Sequence, residues 1–192
     1  MSIIGKHGIS ATTPENVLLG AGTYMRNLQW NAETSSWTGE VLGATNGGGK
    51  ITIAGEFYDI PVDGMHVKTK GFTVKNGGTV VAEVTFAELS ADVMKAATLF
   101  EEGESDADGF TMLQDKAAIE EGDYIQNFGF VGYTANNAKQ IVFIMENALC
   151  TSGMEIEPKN KEAAVVKLTL EAYAENQGEL DTLPVRIYYP NN

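Results

Sequence analysis

The sequence predicts a mainly β protein: a β-sandwich or barrel-like fold with one packed α-helix and long mobile loops. Three observations carry this. Apolar and polar residues alternate with period two, as in Val80, Ala82, Val84 and Phe86 against Val81, Glu83, Thr85 and Ala87. Only one segment combines helical apolar spacing with a cap. The chain has 192 residues and is 43% hydrophobic, which suits a single globular domain over 1–192.

The elements follow in order. Residues 1–15 are polar and irregular and read as an N-terminal arm. "NVLLGAGTYMRNL" holds a first short strand, and "QWNAETSSWTGEVLGATNGGG" has the composition of a long connection, so 28–49 is expected to be a loop region. A strand is predicted near 50–60. Ile51, Ile53, Gly55 and Phe57 lie on one face, with Thr52, Ala54, Glu56 and Tyr58 on the other. "VDG" at 62–64 reads as a turn. Residues 65–75 read as a strand carrying His66, and "NGG" at 76–78 as the turn of a hairpin.

Ser90 caps the one predicted helix, Asp92 sits in its first turn, and Val93, Ala96, Ala97 and Phe100 share a face. An acidic loop follows at 101–109. "DYIQNFGFVGYT", "KQIVFIMENALC" and "EAAVVKLTLEAYAE" are three more strands, the first two joined by "ANNA". In the third, Val166, Leu168, Leu170 and Ala172 alternate with Lys167, Thr169, Glu171 and Tyr173. "LPVRIYYP" closes the sheet.

Composition excludes several classes. No apolar run approaches the ~20 residues that span a bilayer. The start, "MSIIGKHGIS", lacks the apolar core of a signal peptide, so folding in a cytoplasm is expected. The single cysteine, Cys150, cannot form a disulfide within the chain and reads as a buried, inert thiol. The net charge of −13, from 26 acidic and 13 basic residues, opposes binding nucleic acid through its phosphates.

The stretch "GATNGGGK" (43–50) invites a phosphate-loop reading. That loop needs Gly, four residues, then Gly-Lys-Ser/Thr and a helix. Here the first position is Ala44, the hydroxyl position is Ile51, and a strand follows. A turn feeding a strand is the better reading. No hydrolase elbow, cysteine pair or paired histidine motif is present, so no catalytic constellation is found and no cofactor is expected. The weak metal candidate is "ESDADGFTMLQD" (104–115). Glu104, Asp106, Asp108 and Asp115 occupy EF-hand ligand positions and Gly109 the turn, but the flanking segment does not read as a second helix. A solvated acidic loop is the plainer reading, and a calcium-dependent β-sandwich binding module is the alternative it leaves.

"LGATNGGGKITIAGEFYDIPVDGMHVKTKGF", followed by an alternating strand and "AELSADVMKAA", resembles the major tail protein, or tail tube protein, of long-tailed bacteriophages. The shared elements are Gly43–Gly48, Glu56–Asp59, Val62–Gly64, Lys70–Gly71 and Leu89–Ala97. The C-terminal "VFIMENALCTSGMEI" and "KLTLEAYAE" continue the likeness over most of the chain. Pro61 departs from the acidic residue that members often carry before "VDG".

The resemblance implies a tail-tube fold and a structural virion protein, not an enzyme. Six copies form a ring, and rings stack into a hollow tail tube assembled in the host cytoplasm. The implied partners are other copies, a tape-measure protein, and tail terminator and distal tail proteins; genomic DNA passes through the lumen without specific binding. Tube proteins of phage-like bacteriocins and type VI secretion systems share the fold. Contacts between subunits are expected from 28–49 and 62–78, with Gly43, Asn46, Gly47, Asp63, Gly64, Lys70 and Gly71 as assembly-loop candidates. Glu56, Glu83 and Glu171 alternate with core-facing residues and are candidates to line the lumen, where like charge would keep DNA from forming ion pairs.

Overall fold

The computed structural model describes residues 8–135, 139–156, 158, 160–161, 163–176 and 180–191. Two antiparallel sheets pack face to face, with one helix closing an end. In chain order the elements are α1 (Thr13–Asn16), β1 (Leu18–Asn31), β2 (Ser36–Val41), β3 (Thr45–Asp59), β4 (Thr73–Phe86), α2 (Ala91–Thr98), β5 (Glu101–Gly103), β6 (Met112–Gln114), a one-turn 3-10 helix (Glu121–Asp123), β7 (Phe128–Thr134), β8 (Gln140–Met145), β9 (Ala148–Cys150), β10 (Val166–Ala172) and β11 (Val185–Tyr188). The five-stranded sheet runs β11-β8-β7-β1-β2, the four-stranded sheet β3-β4-β10-β9, and β5 and β6 form a separate hairpin. This is the β-sandwich-like fold that the alternation predicts.

The core follows from that alternation. Val80, Ala82, Val84 and Phe86 of β4 and Val166, Leu168 and Leu170 of β10 meet Tyr24, Phe128, Phe130 and Met145 of the other sheet. Intervening residues such as Lys167 stay exposed. Ser90 caps α2 by accepting a hydrogen bond from the Val93 N–H at 3.2 Å, and Val93 and Ala97 enter the same core. The helix stops at Thr98 rather than reaching Phe100, because Leu99 turns into the left-handed region with φ 59°.

Several expectations change. The expected loop over 28–49 is mostly strand: β1 continues to Asn31, turns back through 32–35 into β2, and β3 already begins at Thr45. Ser35 takes a positive φ of 49° there, a place that sequence rules assign to Gly or Asn. "NGG" is no turn. Asn76, Gly77 and Gly78 lie inside β4, where a register shift pairs Glu56 with Gly77 but Phe57 with Lys75. The extra residue, Asn76, is a β-bulge, and the positive φ of Gly77 and Gly78 (144° and 155°) explains the glycines. The turn of this hairpin is 60–72, so 65–71 is not strand and His66 sits exposed in the turn.

The run 139–150 is two strands in different sheets. β8 belongs to the five-stranded sheet and β9 to the four-stranded one, and the chain crosses between them at Asn147, φ 44°. Cys150 is buried there. The arm expected over 1–15 includes the helical turn α1, tied to the C-terminal strand region by Tyr189, whose hydroxyl donates to Asn16 Oδ1 at 2.6 Å. Residues 1–7 of that arm and 136–138 of "ANNA" lie outside the described residues.

A second apolar cluster occupies the far face of the five-stranded sheet. Leu28, Val131, Val142 and Ile144 are buried, with Met25 and Trp37 packed on them. A bulge between Arg26 and Gln29, with Asn27 at φ 53°, bends the β1–β2 hairpin over this face.

Candidate assembly interface

The β3–β4 hairpin carries most of the predicted site residues. Its half nearest Phe86 belongs to the sandwich, and its other half does not. From Ile53 to Thr79 no residue is buried. Beyond the bulge it continues as a two-stranded ribbon with apolar side chains on both faces. Phe57, 71% exposed, follows Ile51 and Ile53 on the core side. Tyr58 and its cross-strand partner Val74 lie on the other face, and Ile60 donates its N–H to the Phe72 carbonyl at the base of the turn. A lone two-stranded ribbon is marginal in water. Exposed aromatic and branched side chains gathered on such a ribbon make it a candidate contact surface.

The strand β3 is also a sheet edge fifteen residues long, with no hydrogen-bonded strand on its outer side among the described residues. Its outer backbone groups are a template for another strand. The opposite edge differs: β9 has three residues, and Ile125 already exchanges backbone hydrogen bonds with Ala148 on that side.

"GATNGGGK" now has a physical reading. Thr45 pairs with Phe86 and Gly49 with Val84, so β3 carries extra residues here, with Gly47 and Gly48 at φ 80° and 77°. Gly49 lets the Tyr24 side chain lie against the backbone, since a Cβ there would overlap the Tyr24 hydroxyl. Beside this arch a cleft of about 670 Å³ opens between the sheets, lined by Leu18, Tyr24, Ile51, Ile53, Phe130 and Phe143 among others. Burial pushes the Tyr24 hydroxyl above its ordinary pKa.

The assembly-loop candidates separate. Gly43 is buried, not a free loop residue; a Cβ would stand 3.2 Å from the Phe86 ring and 3.4 Å from Val93, so its small size serves helix packing. Asn46 and Gly47 are exposed in the bulged start of β3. Asp63, Gly64, Lys70 and Gly71 come together as sequence neighbours of the exposed 60–72 turn, with Gly64 and Gly71 at φ 86° and 94°.

The register places Glu56, Glu83 and Glu171 on one face of the four-stranded sheet, the side away from the core. That face is not purely acidic. Lys50 lies opposite Glu83, with its Nζ donating to Oε1 at 2.8 Å, and Lys167 shares the face. Sequence reading missed this pairing because the register depends on where the hairpin turns, at 60–72, and on the Asn76 bulge. Asp59, at the ribbon's end, is held below the usual carboxylate range by hydrogen bonds from Lys68 and then Thr73.

The acidic segment 104–111 is the connection of the β5–β6 hairpin, with Ser105 and Ala107 bonded to each other across it. Glu104, Asp106, Asp108 and Asp115 do not converge: among the described residues no group of three or more histidine, cysteine or carboxylate side chains has metal-binding geometry. Also among the described residues, no helix is long and apolar enough to cross a membrane. Comparison with protein-family models finds no match, and a search of curated proteins finds none either.

Proposed function

We propose that the chain is a structural subunit that assembles with copies of itself into the hollow tail tube of a long-tailed phage, through six-membered rings that stack. The observation that carries the reading is the β3–β4 ribbon. It holds Phe57, Tyr58, Ile60, Phe72 and Val74 in water, each exposed by more than a third, beside an unpaired strand edge. Both features are unfavourable in an isolated subunit and become favourable when another copy covers them. The ordered motifs shared with major tail proteins supply the kind of assembly.

In such a ring the four-stranded sheet would face the lumen. Its outward face mixes Glu56, Glu83 and Glu171 with Lys50 and Lys167. Pairing Glu83 with Lys50 leaves few free cations to hold phosphates, so DNA would slide past without releasing many counterions. On this reading the tape-measure, terminator and distal tail proteins are its partners, the virion is its site, and it catalyses nothing.

Sedimentation velocity over a range of protein concentration tests the proposal. Association into species of six or more chains supports it. A single monomeric boundary at all concentrations argues against it.

A further inference from the structure

We infer that the tip of the β3–β4 hairpin of one copy docks on the β5–β6 hairpin of the next copy, making a head-to-tail contact along the assembly. The inference deepens the self-assembly reading and rests on it.

The two hairpins are opposite in charge. The tip segment 60–75 holds Lys68, Lys70 and Lys75 against Asp63 alone, in a chain of net charge −13. Lys68 is engaged with Asp59 at 2.7 Å, while Lys70 and Lys75 have no ion-pair partner among the described residues. The segment 101–110 holds Glu101, Glu102, Glu104, Asp106 and Asp108 and no cation. Glu102 is paired with Lys95, which fixes β5 to α2; Glu104, Asp106 and Asp108 have no cationic partner among the described residues.

The apolar residues match as well. Val62 and Val67 at the tip are 47% and 74% exposed, and Phe110 beside the acidic run is 75% exposed. Each surface therefore carries exposed apolar side chains among charges mainly of one sign, a combination that favours both affinity and register.

Position makes the pairing intermolecular. The tip joins β4 at Thr73, and α2 with β5 follows its other end at Phe86. At ~3.3 Å per residue a fourteen-residue strand separates these ends by roughly 43 Å. Val93 and Ala97 anchor α2 in the core near Phe86, so the acidic hairpin cannot fold back to the tip of its own chain. Two different surfaces at opposite ends of one subunit generate a heterologous contact, which does not close as a dimer and, where its rotation closes no ring, repeats along an axis.

The test uses the full chain and charge exchange. One variant carries Lys70→Glu and Lys75→Glu, a second carries Asp106→Lys and Asp108→Lys, and a third carries all four. All sites are exposed, and circular dichroism checks the fold of each. Each two-site variant should weaken association in low salt by about tenfold or more, with discs replacing tubes in negative stain, and the four-site variant should recover it. Wild-type tubes with no change in either two-site variant overturn the docking and leave self-assembly standing. Loss in both without recovery in the combination also overturns this pairing. A wild-type chain that never associates overturns the self-assembly reading and the docking together.

Discussion

Trp37 and Tyr188 sit on opposite edge strands of the five-stranded sheet, yet their ring centroids are 4.6 Å apart with the planes at 62°. In a flat sheet four strand spacings of ~4.8 Å would hold those edges roughly 19 Å apart. The β1–β2 hairpin therefore curls across the sheet and joins its edges over Leu28, Val131, Val142 and Ile144. Trp30 adds a second edge-on contact to Trp37 at 5.5 Å.

Trp37→Ala should destabilise the chain by about 2 kcal/mol, combining lost burial with two lost aromatic pairs. Trp30→Ala, at a residue 51% exposed, should cost less than half as much. Chemical denaturation of the two variants measures the difference. Equal losses would contradict a closure that depends on Trp37.

Gly49→Ala should destabilise by about 1–3 kcal/mol through overpacking. The added methyl overlaps the Tyr24 hydroxyl and approaches the Glu83 carbonyl oxygen at 2.8 Å. Combining it with Tyr24→Phe should recover part of the loss, since the hydroxyl overlap is removed while the Glu83 carbonyl oxygen at 2.8 Å and the ring Cζ at 2.9 Å remain. A double variant no better than Gly49→Ala would place the strain at the Glu83 carbonyl and the ring carbon rather than at the hydroxyl.

How much of this could be read in the sequence depends on what each signal means physically. The β10 alternation and the Ser90 cap were legible because period and side-chain capping are local rules. "NGG" was not, since glycines that permit a turn also permit a bulge, and only the partner strand decides. The crossing at Asn147 was hidden inside an apolar run, because both sheets bury β8 and β9 alike. For the candidate site, parity alone put Glu56, Glu83 and Glu171 on one face. The Lys50 partner of Glu83 and the burial of Gly43 depend on tertiary register, which no local pattern carries.

Alkaline titration should isolate Tyr24. Its folded-state pKa is raised by burial, so the folded chain holds this proton after the unfolded chain has lost it. The resulting stability is complete below the unfolded value of ~10 and is lost as pH rises through the folded value. Stability should fall above pH ~10, and less steeply in Tyr24→Phe. Tyr173, also raised by burial and then by Glu171, contributes the same sign in both proteins. Identical slopes would contradict the burial of Tyr24.

Amides of 60–72 should exchange within seconds in the isolated subunit, because the turn has few internal hydrogen bonds and no buried side chain. Assembly should slow them by orders of magnitude, while the amides of β10 stay protected in both states. Hydrogen exchange followed by mass spectrometry reads both segments. Fast exchange of 60–72 in assembled material would remove the ribbon from the interface.

If the ribbon and the free β3 edge join copies, negative-stain electron microscopy of the concentrated chain will show it. The expected particles are rings with sixfold symmetry and a central hole, stacking into tubes. Particles no larger than a single 20.6 kDa chain at every concentration would contradict such joining.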